Sequence, residues 1–127
     1  VGGQAVGRQG YAPTLVDAPP DDSQLVRDEV FGPVVSLLPV EDLSEAVARA
    51  NDSRWTFQAA VFTGSQDAAF RVARELSATA VMVNDHTAFR ADWMPFGGLG
   101  ESGLGVGGLR RAVRDLCREK LLVIRLS

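Results

Sequence analysis

A carboxylate, an aromatic ring and a rigid turn stand side by side at Glu29, Phe31 and Gly32-Pro33. They precede an apolar run, and an acid at a strand's mouth can accept hydrogen bonds from two neighbouring sugar hydroxyls. Charge-assisted bonds of that kind contribute about 1.5–3 kcal/mol each when shielded from water. A second stretch carries Pro95-Phe96-Gly97-Gly98 and Ser102-Gly103-Leu104-Gly105, with Phe89 and Trp93 just before it. It has neither a two-residue nor a helical period, and a loop of that length inside a domain is usually functional. Duller readings stand beside both: a solvated acid in a turn, and ordinary core packing for Phe31, Phe89, Trp93 and Phe96.

Other reactive residue types are sparse. Gly98-Leu99-Gly100-Glu101-Ser102-Gly103 satisfies the dinucleotide fingerprint, but that motif needs a strand leading in and a helix opening at the loop. Arg90-Ala91-Asp92-Trp93-Met94-Pro95 is no such strand, so the glycines read better as letting backbone pass close to other elements. Cys117 falls late in a helical pattern, where the dipole opposes a thiolate, so a structural role is expected. His86, the only histidine, has too few companions for a metal site and no nucleophile for a triad. Arg90 could meet an anionic substrate, or equally pair with Asp92 or Glu101. No catalytic residue and no metal ligand is therefore assigned.

These residues need a scaffold, and the pattern supplies one. Tyr11 to Val16 reads as an edge strand, held there by Pro13. Val34, Val35, Leu37 and Leu38 read as a strand buried on both faces. Asp42 and Glu45 are at capping-box spacing before a stripe of Leu43, Ala46, Val47 and Ala50, which predicts a helix. Gln58–Thr63 predicts a strand, Gly64-Ser65 a turn, and Ala69, Val72, Ala73 and Leu76 a second helix. Ala80–Val83 predicts a strand, Leu109, Ala112, Val113 and Leu116 a third helix, and Lys120–Leu126 a last strand apolar on both faces. Alternation of this kind predicts an α/β fold, layered, with a largely parallel sheet.

Composition bounds the rest. The 127 residues are enough for one domain; 46% are hydrophobic and 23% charged, as in an ordinary soluble protein. A net charge of −3 leaves no footprint for nucleic acid or an anionic membrane surface. No apolar run reaches the about 20 residues that span a bilayer. The single cysteine excludes an internal disulfide and fits a reducing cytoplasm. No leader is visible, and the start at Val1-Gly2-Gly3 fits a piece of a longer protein.

In this order, the Glu-x-Phe-Gly-Pro motif at Glu29–Pro33, the Pro-Phe-Gly-Gly motif at Pro95–Gly98 and Ser102-Gly103-Leu104-Gly105 resemble the C-terminal part of the aldehyde dehydrogenase catalytic domain. The likeness runs from about Gly10 to Ile124. It implies that Glu29 binds the nicotinamide ribose of NAD or NADP and that Phe31 packs near the nicotinamide ring. It implies that Phe96, with Phe89 and Trp93, lines the aldehyde's path. It also implies domain residues 1–118, an oligomerisation strand at 119–127 and a homo-oligomer. The nucleophilic cysteine, the general-base glutamate, the oxyanion-hole asparagine and the cofactor domain would all lie upstream, so the chain alone is expected to be inactive. The resemblance implies that in the complete enzyme an aldehyde becomes a thiohemiacetal on cysteine, loses hydride to the nicotinamide, and is released as an acid when water hydrolyses the resulting thioester. Trp55-Thr56-Phe57, Gly100 and Val106-Gly107 depart from the usual Tyr-Gly-Leu, lysine and Arg-Glu. Two other readings stay open: a stand-alone, non-catalytic oligomerisation module, and a small nucleotide-binding domain using the glycine loop.

Overall fold

The computed structural model describes residues 1–126. Eight short strands and four helices follow one another: β1 (Ala5–Val6), β2 (Gly10–Tyr11), β3 (Thr14–Asp17), α1 (Gln24–Arg27), β4 (Val34–Leu37), α2 (Leu43–Asn51), β5 (Trp55–Thr56), β6 (Gln58–Val61), α3 (Gln66–Glu75), β7 (Ala80–Val83), β8 (Leu99–Gly100) and α4 (Leu109–Asp115). The fold is α/β. The two longest pairings, β3 with β4 and β6 with β7, are parallel, with Thr14 opposite Val34 and Gln58 opposite Ala80. Each encloses a helix between its strands, as parallel crossovers require. β1–β2 and β5–β8 are antiparallel.

α2 and α3 start at capping side chains, whereas α1 is not among the elements expected from the sequence and α4 follows Gly108 without a side-chain cap. Asp42 accepts from the Glu45 N–H at 2.9 Å, and the Glu45 carboxylate accepts from the Glu41 N–H at 2.7 Å, which closes the capping box one residue early. Ser65 caps α3 by accepting from the Ala68 N–H at 3.3 Å. α2 and α3 pack together and α3 lies on β7, and the buried hydrophobic core is Val47, Ala69, Val72 and Met82. Arg71 of α3 donates to Ser44 of α2 at 3.0 Å and to the Glu75 carboxylate at 3.0 Å, and the Glu75 hydrogen bond and charge raise its pKa above the ordinary value. The pair is exposed and screened by water, so its effect on stability is small.

Two asparagine side chains act as backbone mimics. Asn51 donates to the Glu75 carbonyl at 2.8 Å and accepts from the Ser77 N–H at 2.9 Å, tying the end of α2 to the end of α3. Asn84 accepts from the Thr63 N–H at 2.8 Å and donates to its carbonyl at 3.0 Å, joining the exits of β6 and β7. Asn84 holds φ at 56°, a left-handed conformation that asparagine tolerates better than most residues.

Three expectations differ from what is seen. In β4, Val34 and Ser36 are half-buried while Val35 and Leu37 are exposed. Successive side chains of a strand face opposite sides, and only one side is covered within this chain. The stripe on α4 is also exposed, at Leu109, Val113 and Leu116. Lys120–Leu126 joins no strand: Leu121, Leu122, Val123, Ile124 and Leu126 are all exposed, and residue 127 lies outside the described residues. A strand forms only against a hydrogen-bonding partner, and none of the described residues supplies one there.

Candidate functional site

The loop holding Glu29 is fixed from both sides. Ahead of it, the Trp55 indole N–H donates to the Arg27 carbonyl at 3.2 Å, and Arg54 forms an ion pair with Asp28. Behind it, the Gly32 N–H donates to the Val30 carbonyl at 2.9 Å and the Val34 N–H to the Gly32 carbonyl at 2.8 Å. Two such narrow turns in succession turn Phe31 outward, 97% exposed. The Pro33 carbonyl then accepts from Thr14 at 2.8 Å as the β3–β4 pairing begins. Glu29 is exposed, and among the described residues its carboxylate has no ion-pair partner. Its lone pairs remain open to a hydroxyl-bearing ligand.

The second motif is a closed loop. Phe96 and Gly107 exchange two backbone hydrogen bonds, at 3.1 and 2.7 Å, and so tie its base. Inside it, a Cβ on Gly97 would stand 2.3 Å from the Gly105 carbonyl oxygen, and one on Gly98 would stand 2.2 Å from that of Ser102. No side chain fits at either place, which is the close backbone approach expected of these glycines. The loop is pinned to β5 by the β5–β8 pairing and by Ser102 Oγ, which accepts from the Thr56 N–H at 2.8 Å. It does not run from a parallel strand into a helix, since β8 is antiparallel to β5 and α4 begins only at Leu109.

β5 therefore connects the two motifs. Arg54, just before it, pairs with Asp28 on one side and stands 3.7 Å from Glu101 on the other. Its guanidinium also lies 4.7 Å from the centre of the Trp55 ring, a further hold on its position. Sequence reasoning missed Arg54, and it noted Trp55 and Thr56 only as departures from the family's usual residues. Their partners lie far along the chain, so no local period could reveal them.

Phe96 packs edge-on against Phe57, with centroids 5.1 Å apart and planes at 87°, and the Arg90 guanidinium lies 4.3 Å from the Phe96 ring centre. Arg90 makes neither of its expected ion pairs: Glu101 is engaged by Arg54, and Asp92 has no ion-pair partner among the described residues. Phe89 is half-exposed. Trp93, more exposed, borders a concavity of about 670 Å³ shared with Pro95, Val106, Arg110 and Arg114. A second concavity of about 470 Å³ lies beside Asp28, between Asp21, Arg49 and Arg54. Glu29, Phe31, Phe89 and Phe96 line neither of the two.

The remaining reactive types stay peripheral. Cys117 is exposed and lies just beyond α4, its N–H bonded to the Arg114 carbonyl at 3.0 Å. It contributes nothing to the core. The His86 imidazole is exposed, 3.9 Å from Asp85. Among the described residues no group of acids, histidines or cysteines could hold a metal ion, and no helix is long and apolar enough to cross a membrane.

Parallel α/β crossovers, with an acid-bearing loop and a glycine-closed aromatic loop held on one short strand, define a segment of an α/β domain. The chain belongs to the aldehyde dehydrogenase family, whose pattern matches residues 1–122. It is 36% identical over 116 residues to a 3-sulfolactaldehyde dehydrogenase of Priestia aryabhattai, covering 91% of this chain and 24% of the relative. It superposes on aldehyde dehydrogenase 21 of Physcomitrella patens, solved with the reaction product succinate, with a TM-score of 0.90 and 34% identity, over 98% of this chain and 26% of the other. An NADP-dependent glyceraldehyde-3-phosphate dehydrogenase of Bacillus halodurans C-125, complexed with NADP, gives a TM-score of 0.86 at 33% identity, again over 98% and 26%. The chain thus spans about a quarter of the length of the relatives it matches.

Proposed function

We propose that this chain is the C-terminal part of the catalytic domain of an NAD(P)-dependent aldehyde dehydrogenase that oxidises an aldehyde to a carboxylic acid. Residues 1–118 belong to the domain body, and residues 119–127 form an oligomerisation strand that pairs with a neighbouring subunit in a cytoplasmic homo-oligomer. The observation that carries this reading is the Arg54 bridge, which holds the Glu29–Phe31 loop and the glycine loop on a common support.

The residues present fit a nicotinamide dinucleotide. Glu29 offers an uncommitted carboxylate where a ribose diol can donate two hydrogen bonds, and Phe31 offers an exposed ring to lie against a flat heterocycle. The dinucleotide, when bound, accepts the hydride. Glu29 and Phe31 set its orientation, and orientation of this kind is a large part of a hydride-transfer enzyme's advantage. Phe96, with Phe89 and Trp93, walls the aldehyde's approach and keeps water from the reacting carbon. The exposed apolar residues Leu121 to Leu126 suit a strand that is completed by another subunit.

The relatives named above act on, or hold as product, molecules with an anionic tail: a sulfonate, a carboxylate and a phosphate. The nucleophile, the general base and most of the cofactor site are contributed by residues outside this sequence, so the isolated polypeptide carries no turnover of its own. Incubating it with NAD or NADP and a panel of aldehydes should give no reduced cofactor above background. Steady reduction by the pure 127-residue chain would overturn this.

A further inference from the structure

We infer that Arg54 and Trp55 are positioning residues that pass the seating of the dinucleotide on the Glu29–Phe31 loop to the glycine loop, so that the aldehyde's side of the pocket is set from the cofactor's side. This rests on the dehydrogenase reading above and gives it a coupling between its two loops.

Four consecutive residues each touch one loop or both. The Arg54 guanidinium pairs with Asp28 and stands 3.7 Å from Glu101. Trp55 donates its indole N–H to the Arg27 carbonyl at 3.2 Å, while its backbone lies opposite Gly100 in the β5–β8 pairing. The Thr56 N–H donates to Ser102 Oγ at 2.8 Å, and the Phe57 ring carries Phe96 edge-on at 5.1 Å. The guanidinium lies 4.7 Å from the centre of the Trp55 ring, so the two links to the acid-bearing loop are fixed to each other. Neither end is slack. Two narrow turns constrain the chain between Val30 and Val34, and the glycine loop is tied at its base by Phe96 and Gly107 and has no room for a methyl group at Gly97 or Gly98. The run is also held from below, where the Phe57 carbonyl accepts from the Thr79 N–H at 2.8 Å. A shift at Asp28 therefore reaches Phe96 through stiff, closely packed parts.

Amide hydrogen exchange of the full-length enzyme that contains this segment tests the link, without cofactor and with saturating NAD or NADP, whichever binds more tightly. The proteins are wild type, Arg54→Ala, Trp55→Phe and the double variant; Trp55→Phe keeps a ring in place and removes only the indole donor. In wild type the cofactor should slow exchange at residues 29–32 and also, about twofold to fivefold, at residues 97–107, the range that half-exposed ion pairs transmit. The slowing at 97–107 should shrink in each single variant and vanish in the double one, while the slowing at 29–32 persists at saturation. Slowing at 97–107 that is absent in wild type, or that matches wild type in both single variants, overturns the relay and leaves the dehydrogenase reading intact. No slowing at 29–32 in wild type overturns both.

Discussion

Arg54 and Asp28 form an ion pair that anchors the residue preceding Glu29, and the same guanidinium reaches Glu101 in the glycine loop at 3.7 Å. One side chain thus braces the proposed cofactor-binding acid against the proposed substrate-side loop. Both pairs are half-exposed, so their role is to position the loops more than to stabilise the fold, exposed ion pairs contributing at most about 1 kcal/mol.

Replacing Arg54 by alanine in the full-length enzyme should therefore leave the urea midpoint nearly unchanged while weakening NAD(P) binding. We expect a several-fold rise in the cofactor dissociation constant, read by quenching of tryptophan fluorescence. A large stability loss with unaltered cofactor affinity would assign Arg54 to folding instead.

The glycine loop gives a sharper contrast. Gly98→Ala would drive a methyl group into the Ser102 carbonyl oxygen, and overpacking against rigid backbone should cost at least about 2 kcal/mol. Gly64→Ala meets nothing within 4 Å and has no left-handed φ, so its effect should stay within about 0.5 kcal/mol. Chemical denaturation of both variants checks the pair, and equal effects would mean that the tight loop is not what it is built to be.

Asn84 combines two requirements in one residue: a two-point clamp on Thr63 and a φ of 56°. Asn84→Ala loses both and should destabilise by about 1–3 kcal/mol. Asn84→Gly keeps the backbone conformation available and should cost less. If alanine were the milder change, the clamp would be dispensable and the left-handed backbone unstrained.

What could be read from the residues alone follows the range of the interactions. α2 and α3 were legible because Asp42, Glu45 and Ser65 cap them locally and their apolar stripes repeat every turn. The parallel pairings were legible as a class, since strands and helices alternate. β5 and β8 were not, because Trp55 finds Gly100 only after the chain has folded. Arg54 was hidden for the same reason. Asn51 and Asn84 carried a weak signal, an amide residue just past a helix or strand, which composition cannot separate from an ordinary turn. The expected strand at Lys120–Leu126 has the apolar residues of a strand but no partner among the described residues. Hydrogen bonds for it, and cover for Val35 and Leu37, are not supplied by the described residues.

The most direct measurement is the affinity of the full-length enzyme for NAD and NADP with Glu29 intact and with Glu29→Gln, which keeps the shape and removes the charge. Two charge-assisted bonds to the ribose should make the variant bind the preferred cofactor about tenfold to a hundredfold more weakly, with an unchanged denaturation midpoint. Equal affinity in the two proteins would contradict a role for Glu29 in holding the nicotinamide ribose.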